Sequence, residues 1–263
     1  MFIKKAGKIL IKTLGYIILI LLLLSILLSI PAVQTKIANY ATNRINEDFG
    51  TDLLIKKIDL SFLGSVELKG VEIRDHHKDT LIFVDKLSTS LLNFREIANS
   101  KIKLGSVSLK GAYYYMKTYK GEDQDSFSIF LDSFETDQPK DTLQQFFLNT
   151  SNIYLENFNY NNENENFENP VSFSASQTVG NIEDFTIDGA NISAKVRGLF
   201  FNDNRGLKIT NLTTDFTYTK TEMDFKNMFL KTPDSELNSD INFSYKVGDL
   251  ADFNNKVYIN EEK

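Results

Sequence analysis

The chain has 263 residues, 24% of them charged, with 29 Lys and Arg against 35 Asp and Glu. The net charge of −6 divides into +4 over residues 1–32 and −10 over the rest, a balance that repels phosphate backbones and makes nucleic acid a poor partner. No cysteine and only two histidines occur, which excludes disulfides, thiol catalysis and Cys-based zinc sites.

The first element is an apolar helix. Leu14 to Ile30 carries no charge, and thirteen of its seventeen residues are Leu or Ile. At roughly −0.5 kcal/mol each on the insertion scale, these favour a bilayer by about 6 kcal/mol. A membrane anchor is the reading, with Leu14, Ile18, Leu22, Ile26 and Ile30 marking its length. A cleaved signal peptide fits less well, because the run is long and Ser29-Ile30-Pro31-Ala32 spoils the small-residue cleavage pattern. Lys4, Lys5, Lys8 and Lys12 keep the N-terminus cytoplasmic by the positive-inside rule, and everything after Pro31 is exported.

Val33, Ile37, Tyr40, Ala41, Ile45 and Phe49 follow at steps of three and four, which predicts an amphipathic helix over residues 33–50 that stops at Gly50. From Asp52 the period becomes two. Val66-Glu67-Leu68, Val71-Glu72-Ile73, Leu87 to Leu91, Ile102-Lys103-Leu104 and Val107-Ser108-Leu109 read as strands with one apolar face, and runs to Phe243-Ser244-Tyr245 continue the pattern. Gly64-Ser65-Val66-Glu67-Leu68-Lys69-Gly70 recurs as Gly105-Ser106-Val107-Ser108-Leu109-Lys110-Gly111, as expected of strands bent at a glycine. Short helices are expected at Phe94 to Asn99 and Asp141 to Asn149, and polar loops at Lys117 to Ser126 and Glu156 to Pro170. The three units are thus a tip and anchor (1–32), an amphipathic helix (33–50) and a repetitive β domain (51–263).

Chemistry is sparse. Arg74-Asp75-His76-His77-Lys78-Asp79 is the one histidine cluster. Adjacent histidines on an extended chain point to opposite sides and no third imidazole exists, so a polar hairpin turn is the reading and no metal or cofactor is expected. Acid pairs such as Glu122/Asp123 and Glu163/Glu165 fall in polar stretches, and no phosphate loop, nucleophile elbow or zinc-protease motif occurs. An enzyme is not expected. Thirty of the 32 Phe and Tyr lie beyond the anchor. They could fill a two-sheet sandwich or line the open apolar face of a single curved sheet, and alternation is the same in both.

The layout resembles the N-terminus of the AsmA-like/TamB family, in Bacteroidetes-type form. The resemblance rests on the basic tip and membrane helix, Ile30-Pro31-Ala32-Val33-Gln34-Thr35-Lys36-Ile37-Ala38, the helix ending at Phe49-Gly50, Leu68-Lys69-Gly70-Val71-Glu72-Ile73-Arg74-Asp75, Asp79 to Leu87, and the Ile102 to Ala112 unit. It implies an elongated, curved antiparallel sheet forming a taco-like groove with an apolar lumen. It further implies an inner-membrane protein with its bulk in the periplasm, conducting phospholipids between inner and outer membranes. Val66, Leu68, Val71, Ile73, Leu104, Val107 and Leu109 are the candidate groove lining, about 14 strands giving a groove of about 65 Å. The resemblance implies as partner an outer-membrane barrel protein of the BamA/TamA group, met through sequence beyond Lys263, since Val257 to Asn260 ends the chain inside a strand-like pattern. The alternative is an assembly factor that docks a barrel insertase through its β-edges and carries no lipid.

Overall fold

A computed structural model describes residues 2–61, 64–90, 101–133, 146–246 and 258–262. Two helices, α1 (Phe2–Leu28) and α2 (Pro31–Phe49), precede strands β1 (Asp52–Leu60), β2 (Ser65–Arg74), β3 (Thr80–Ser90), β4 (Lys101–Leu104) and β5 (Val107–Thr118). Helix α3 (Ser126–Asp132) leads to β6 (Phe147–Asn164), β7 (Val171–Asp188), β8 (Asn191–Asp203), β9 (Lys208–Tyr218), β10 (Glu222–Lys231), β11 (Glu236–Ser244) and β12 (Tyr258–Glu262).

Helix α1 stops two residues before the expected end of the anchor. Ile30 is extended (φ −73°, ψ 120°) and Pro31 opens α2, so Ile30 lies outside α1. From Gly15 to Leu28 the described side chains are almost all exposed, Tyr16 and Ile26 to more than 60%. Among the described residues no single helix is long and apolar enough to cross a membrane. Gly15–Leu28 and Pro31–Phe49, bent by 73°, meet that requirement only together. Helix α2 begins at Pro31, two residues before the predicted start, and stops as predicted at Gly50, which is in the left-handed conformation (φ 64°). Its buried line differs from the predicted stripe. Gln34, Ala38 and Thr42, each one position after a residue of the predicted stripe, are buried with Phe49, while Val33, Ile37, Ala41 and Ile45 are half-buried and Tyr40 is 75% exposed. Asn46 seals the junction, accepting from Leu53 N–H at 2.8 Å and donating to Leu53 C=O at 3.0 Å as a neighbouring strand would.

All twelve strands form one curved, open sheet in the order β1-β2-β3-β5-β6-β7-β8-β9-β10-β11-β12, with β4 beside β6. A sandwich is therefore not the architecture of the described residues. Ten steps of about 4.8 Å make the sheet about 50 Å long, shorter than expected. Nor is it wholly antiparallel: β4 and β5 lie end to end along β6 and run parallel to it. Gly105 stitches their junction, its N–H donating to Ser90 C=O at 2.8 Å and its C=O accepting from Thr150 Oγ1 at 2.6 Å. A parallel step needs a crossover connection, and α3 lies in it.

Two features depart from the sequence reading. The Asn- and Glu-rich stretch expected as a loop is strand as far as Asn164, paired on both sides by β5 and β7, leaving only residues 165–170 as the turn. Phe158 and Tyr160 give it an apolar face, and its amides find ladder partners whatever the side chains are. Of the expected helices, Phe94 to Asn99 lies outside the described residues, and the described end of the other, Phe147 to Asn149, begins β6. Among the described residues a helix that was not expected, α3, is capped by Asp125, which accepts from the N–H groups of Phe127 (2.9 Å) and Ser128 (2.8 Å).

A crease crosses the first half of the sheet. Apolar residues recur three apart rather than two at Leu68/Val71, Val84/Leu87, Leu109/Ala112 and Leu155/Phe158, yet they share clusters on one face. The strands stay in register there, with Ile55, Val71, Val84 and Ala112 in one row and Leu68, Leu87, Leu109 and Leu155 in the next. Positive φ at Gly70 (60°), Gly111 (57°) and Asn157 (55°) reverses the alternation, which is why the repeated glycines are needed. Between the apolar rows Lys57, Lys69, Lys86, Lys110 and Glu156 stand side by side. Like charges so placed repel, and Glu67 offsets this by bridging Lys69 (3.0 Å) and Lys86 (2.7 Å).

Candidate functional site

The candidate lining falls on this face. Val71 is buried with Val84 and Ala112, and Leu68 and Leu109 pack on that cluster. Val107 is buried with Ile153 and Leu155, against which Leu104 and Leu109 pack. Ile73 is paired with Leu53 and Ile82, and Val66 with Leu60 and Thr89; both are half-buried. Among the described residues these two clusters draw only on neighbouring strands, from β1 to β8.

The face is closed where α3 crosses it. Phe49, Leu131, Phe146, Ala190, Tyr218 and Tyr245 form a buried cluster joining the tip of α2, α3 and the ends of β8 and β9. Phe49 meets Phe146 edge-on at 5.3 Å, and Phe127 stands between Tyr114 (5.2 Å) and Tyr218 (6.3 Å). Polar ties hold α3 from both sides: Lys117 N–H donates to Ser126 Oγ at 3.0 Å, and Lys220 pairs with Asp132 at 2.7 Å. Loss of water beneath the helix raises the Tyr114 and Tyr160 phenols above their ordinary range.

A second site lies at the polar rim, in the histidine cluster. Asp75 shapes the β2–β3 turn by accepting from the N–H groups of His77 (2.9 Å) and Asp79 (3.0 Å), and Lys78 completes it with φ 70°. The turn brings the adjacent imidazoles to one carboxylate. His76 Nε2 lies 2.9 Å from Glu122 Oε2, and His77 Nε2 lies 2.6 Å from Glu122 Oε1. This corrects the expectation that the two rings point apart, which holds for a strand and not for this turn.

Tyr119 backs the site. It stacks on His77 at 3.8 Å and donates to Asp75 (2.6 Å) and Asp79 (2.9 Å). Burial first, then these two bonds, push its phenol well above the ordinary range. Burial pushes the Glu122 carboxyl up, but hydrogen bonds from His77 and His76 together hold it below the usual carboxylate value. The sequence reading assigned Glu122 to a solvated turn. Its only signal was a carboxylate three residues after Tyr119, 45 residues from His77. Comparison with protein-family models and with curated proteins finds no match for this chain.

Proposed function

We propose that the protein is a membrane-tethered β-groove protein whose apolar sheet face holds phospholipid acyl chains and passes them between the inner and outer membranes of a bacterial envelope. The observation that carries this reading is the pair of apolar clusters centred on β2, β3, β5 and β6, which among the described residues draw only on neighbouring strands. An apolar face left to itself costs about 25 cal/mol per Å² against an apolar cover, and acyl chains supply such cover. The bare apolar surface of α1 supports a tether in the bilayer, with its basic tip cytoplasmic and the sheet periplasmic. The resemblance to the AsmA-like/TamB family points the same way. In this reading the protein catalyses no reaction, and the buried cluster under α3 bounds the open track at the ends of β8 and β9.

The test is native mass spectrometry after purification in mild detergent. Phospholipid should accompany the wild-type protein and be lost from a Leu68→Glu, Leu109→Lys double variant whose β-sheet circular dichroism is unchanged. A folded wild-type protein free of lipid overturns the conduit and favours a docking scaffold for outer-membrane barrel assembly.

A further inference from the structure

We propose that His76, His77 and Glu122 form a binding site for one divalent transition-metal ion of the zinc class, which clasps the β2–β3 turn to the loop between β5 and α3. The site is independent of the acyl-chain reading, since it lies on the polar rim and uses none of the apolar face. Two imidazole nitrogens and a carboxylate oxygen, one from each residue, lie within 4.8 Å of one another. A tetrahedral ion with bonds of about 2.0–2.2 Å holds its ligand atoms about 3.4 Å apart, so closure needs movements on the order of an ångström. This donor set suits zinc, cobalt or nickel, whereas calcium and magnesium take oxygen alone.

Both sides of the site are held before any ion arrives. The turn is fixed by Asp75, by the bond from its own N–H to Asp79 C=O (2.9 Å) and by that from Lys78 N–H to Asp75 C=O (3.0 Å). Opposite, Asn166 accepts from Gly121 N–H at 2.7 Å and donates to Glu122 C=O at 2.9 Å, tying the loop to the β6–β7 turn. The Tyr119 ring fixes the plane of His77, a supporting contact of the kind that orients metal-binding imidazoles. Charge also favours a cation, because the carboxylates of Asp75 and Asp79 stand behind Tyr119 while Lys78 and Lys117 are engaged with Asp52 and Glu165. On binding, each imidazole gives up the Nε2 proton it shares with Glu122 to solvent, carries its remaining proton on Nδ1, and turns the freed Nε2 lone pair to the ion. The hydrogen bonds to Glu122 give way to metal bonds, and water fills the remaining position on the exposed side, where the His77 side chain is 45% accessible.

The experiment uses the full-length chain without a histidine tag, in detergent, stripped with EDTA and titrated calorimetrically with ZnCl2. One ion per chain is expected, with affinity reduced at least tenfold in His77→Gln and Glu122→Gln. Tyr119→Phe, which keeps the stacked ring, should be less affected than either. Saturating ZnCl2 should raise the wild-type melting temperature by about 5 °C and leave His77→Gln unmoved, and metal-free melting verifies that each variant is folded. Absence of saturable binding to the wild-type chain, or binding that is unchanged in both ligand variants, overturns the site.

Discussion

Among the described residues the apolar clusters over β1–β3 and β5 draw only on neighbouring strands, whereas beyond the parallel step the ends of β8 and β9 are sealed by α3 and the tip of α2. Both regions carry the same alternation of apolar and polar residues. Alternation decides which face is apolar, and topology decides whether that face is covered. The cover here comes from the crossover that joins β5 to a parallel partner, a connection a hairpin would not need.

Paired truncations break this comparison most sharply. Leu131→Ala, in the sealed cluster with Leu131 only 2% exposed, should cost about 2–5 kcal/mol in denaturant unfolding. Leu68→Ala, on the half-buried face, should cost clearly less, and equal losses would mean that this face is covered too. Next in size is Asp203, which forms the β8–β9 turn in the way Asp75 forms the β2–β3 turn. Its carboxylate accepts from Leu207 N–H (2.7 Å) and Arg205 N–H (2.9 Å) and pairs with the Arg205 guanidinium (2.7 Å). Burial pushes this carboxyl up, but those bonds outweigh it and hold it below the usual range. The stabilisation is therefore complete above the unfolded-state pKa near 4 and is lost as pH falls through the lower folded value. Asp203→Asn should cost about 1–3 kcal/mol at neutral pH and flatten the loss of stability below about pH 4, read from melts across pH. Smallest is the crease. Gly111→Ala forces a left-handed alanine whose Cβ would sit 3.2 Å from Asp85 Cβ, for about 1–2 kcal/mol. Gly111→Asn should cost less in the same melts, because Asn157 already holds the equivalent conformation in β6.

Much of the strand content was legible because Val66 to Ile73, Leu87 and Val107 to Leu109 alternate clearly and the repeated glycines mark the crease. Three features were not. Residues 156–164 look like loop because Asn and Glu outnumber Phe158 and Tyr160, while the backbone pairing that makes them strand leaves no trace in composition. The direction of β5 against β6 is likewise silent, since parallel and antiparallel partners share one alternation. Helix α3 is seven residues long, too short for periodicity, though the capping Asp125 was its available signal. At the rim, the bland reading of His76 and His77 followed from strand geometry. Only the turn around Asp75 and a contact 45 residues away in sequence bring them onto Glu122.

The parallel step also divides the molecule in time. Most strand pairs are joined by short turns that close quickly, but Thr118 and Phe147 are separated by 28 residues, a longer loop to close before β5 can dock on β6. By loop length alone, this seam is expected to form after the hairpins on either side of it. Under native-state hydrogen exchange or mechanical pull, the amides shared by β5 and β6 are expected to open before those inside either meander.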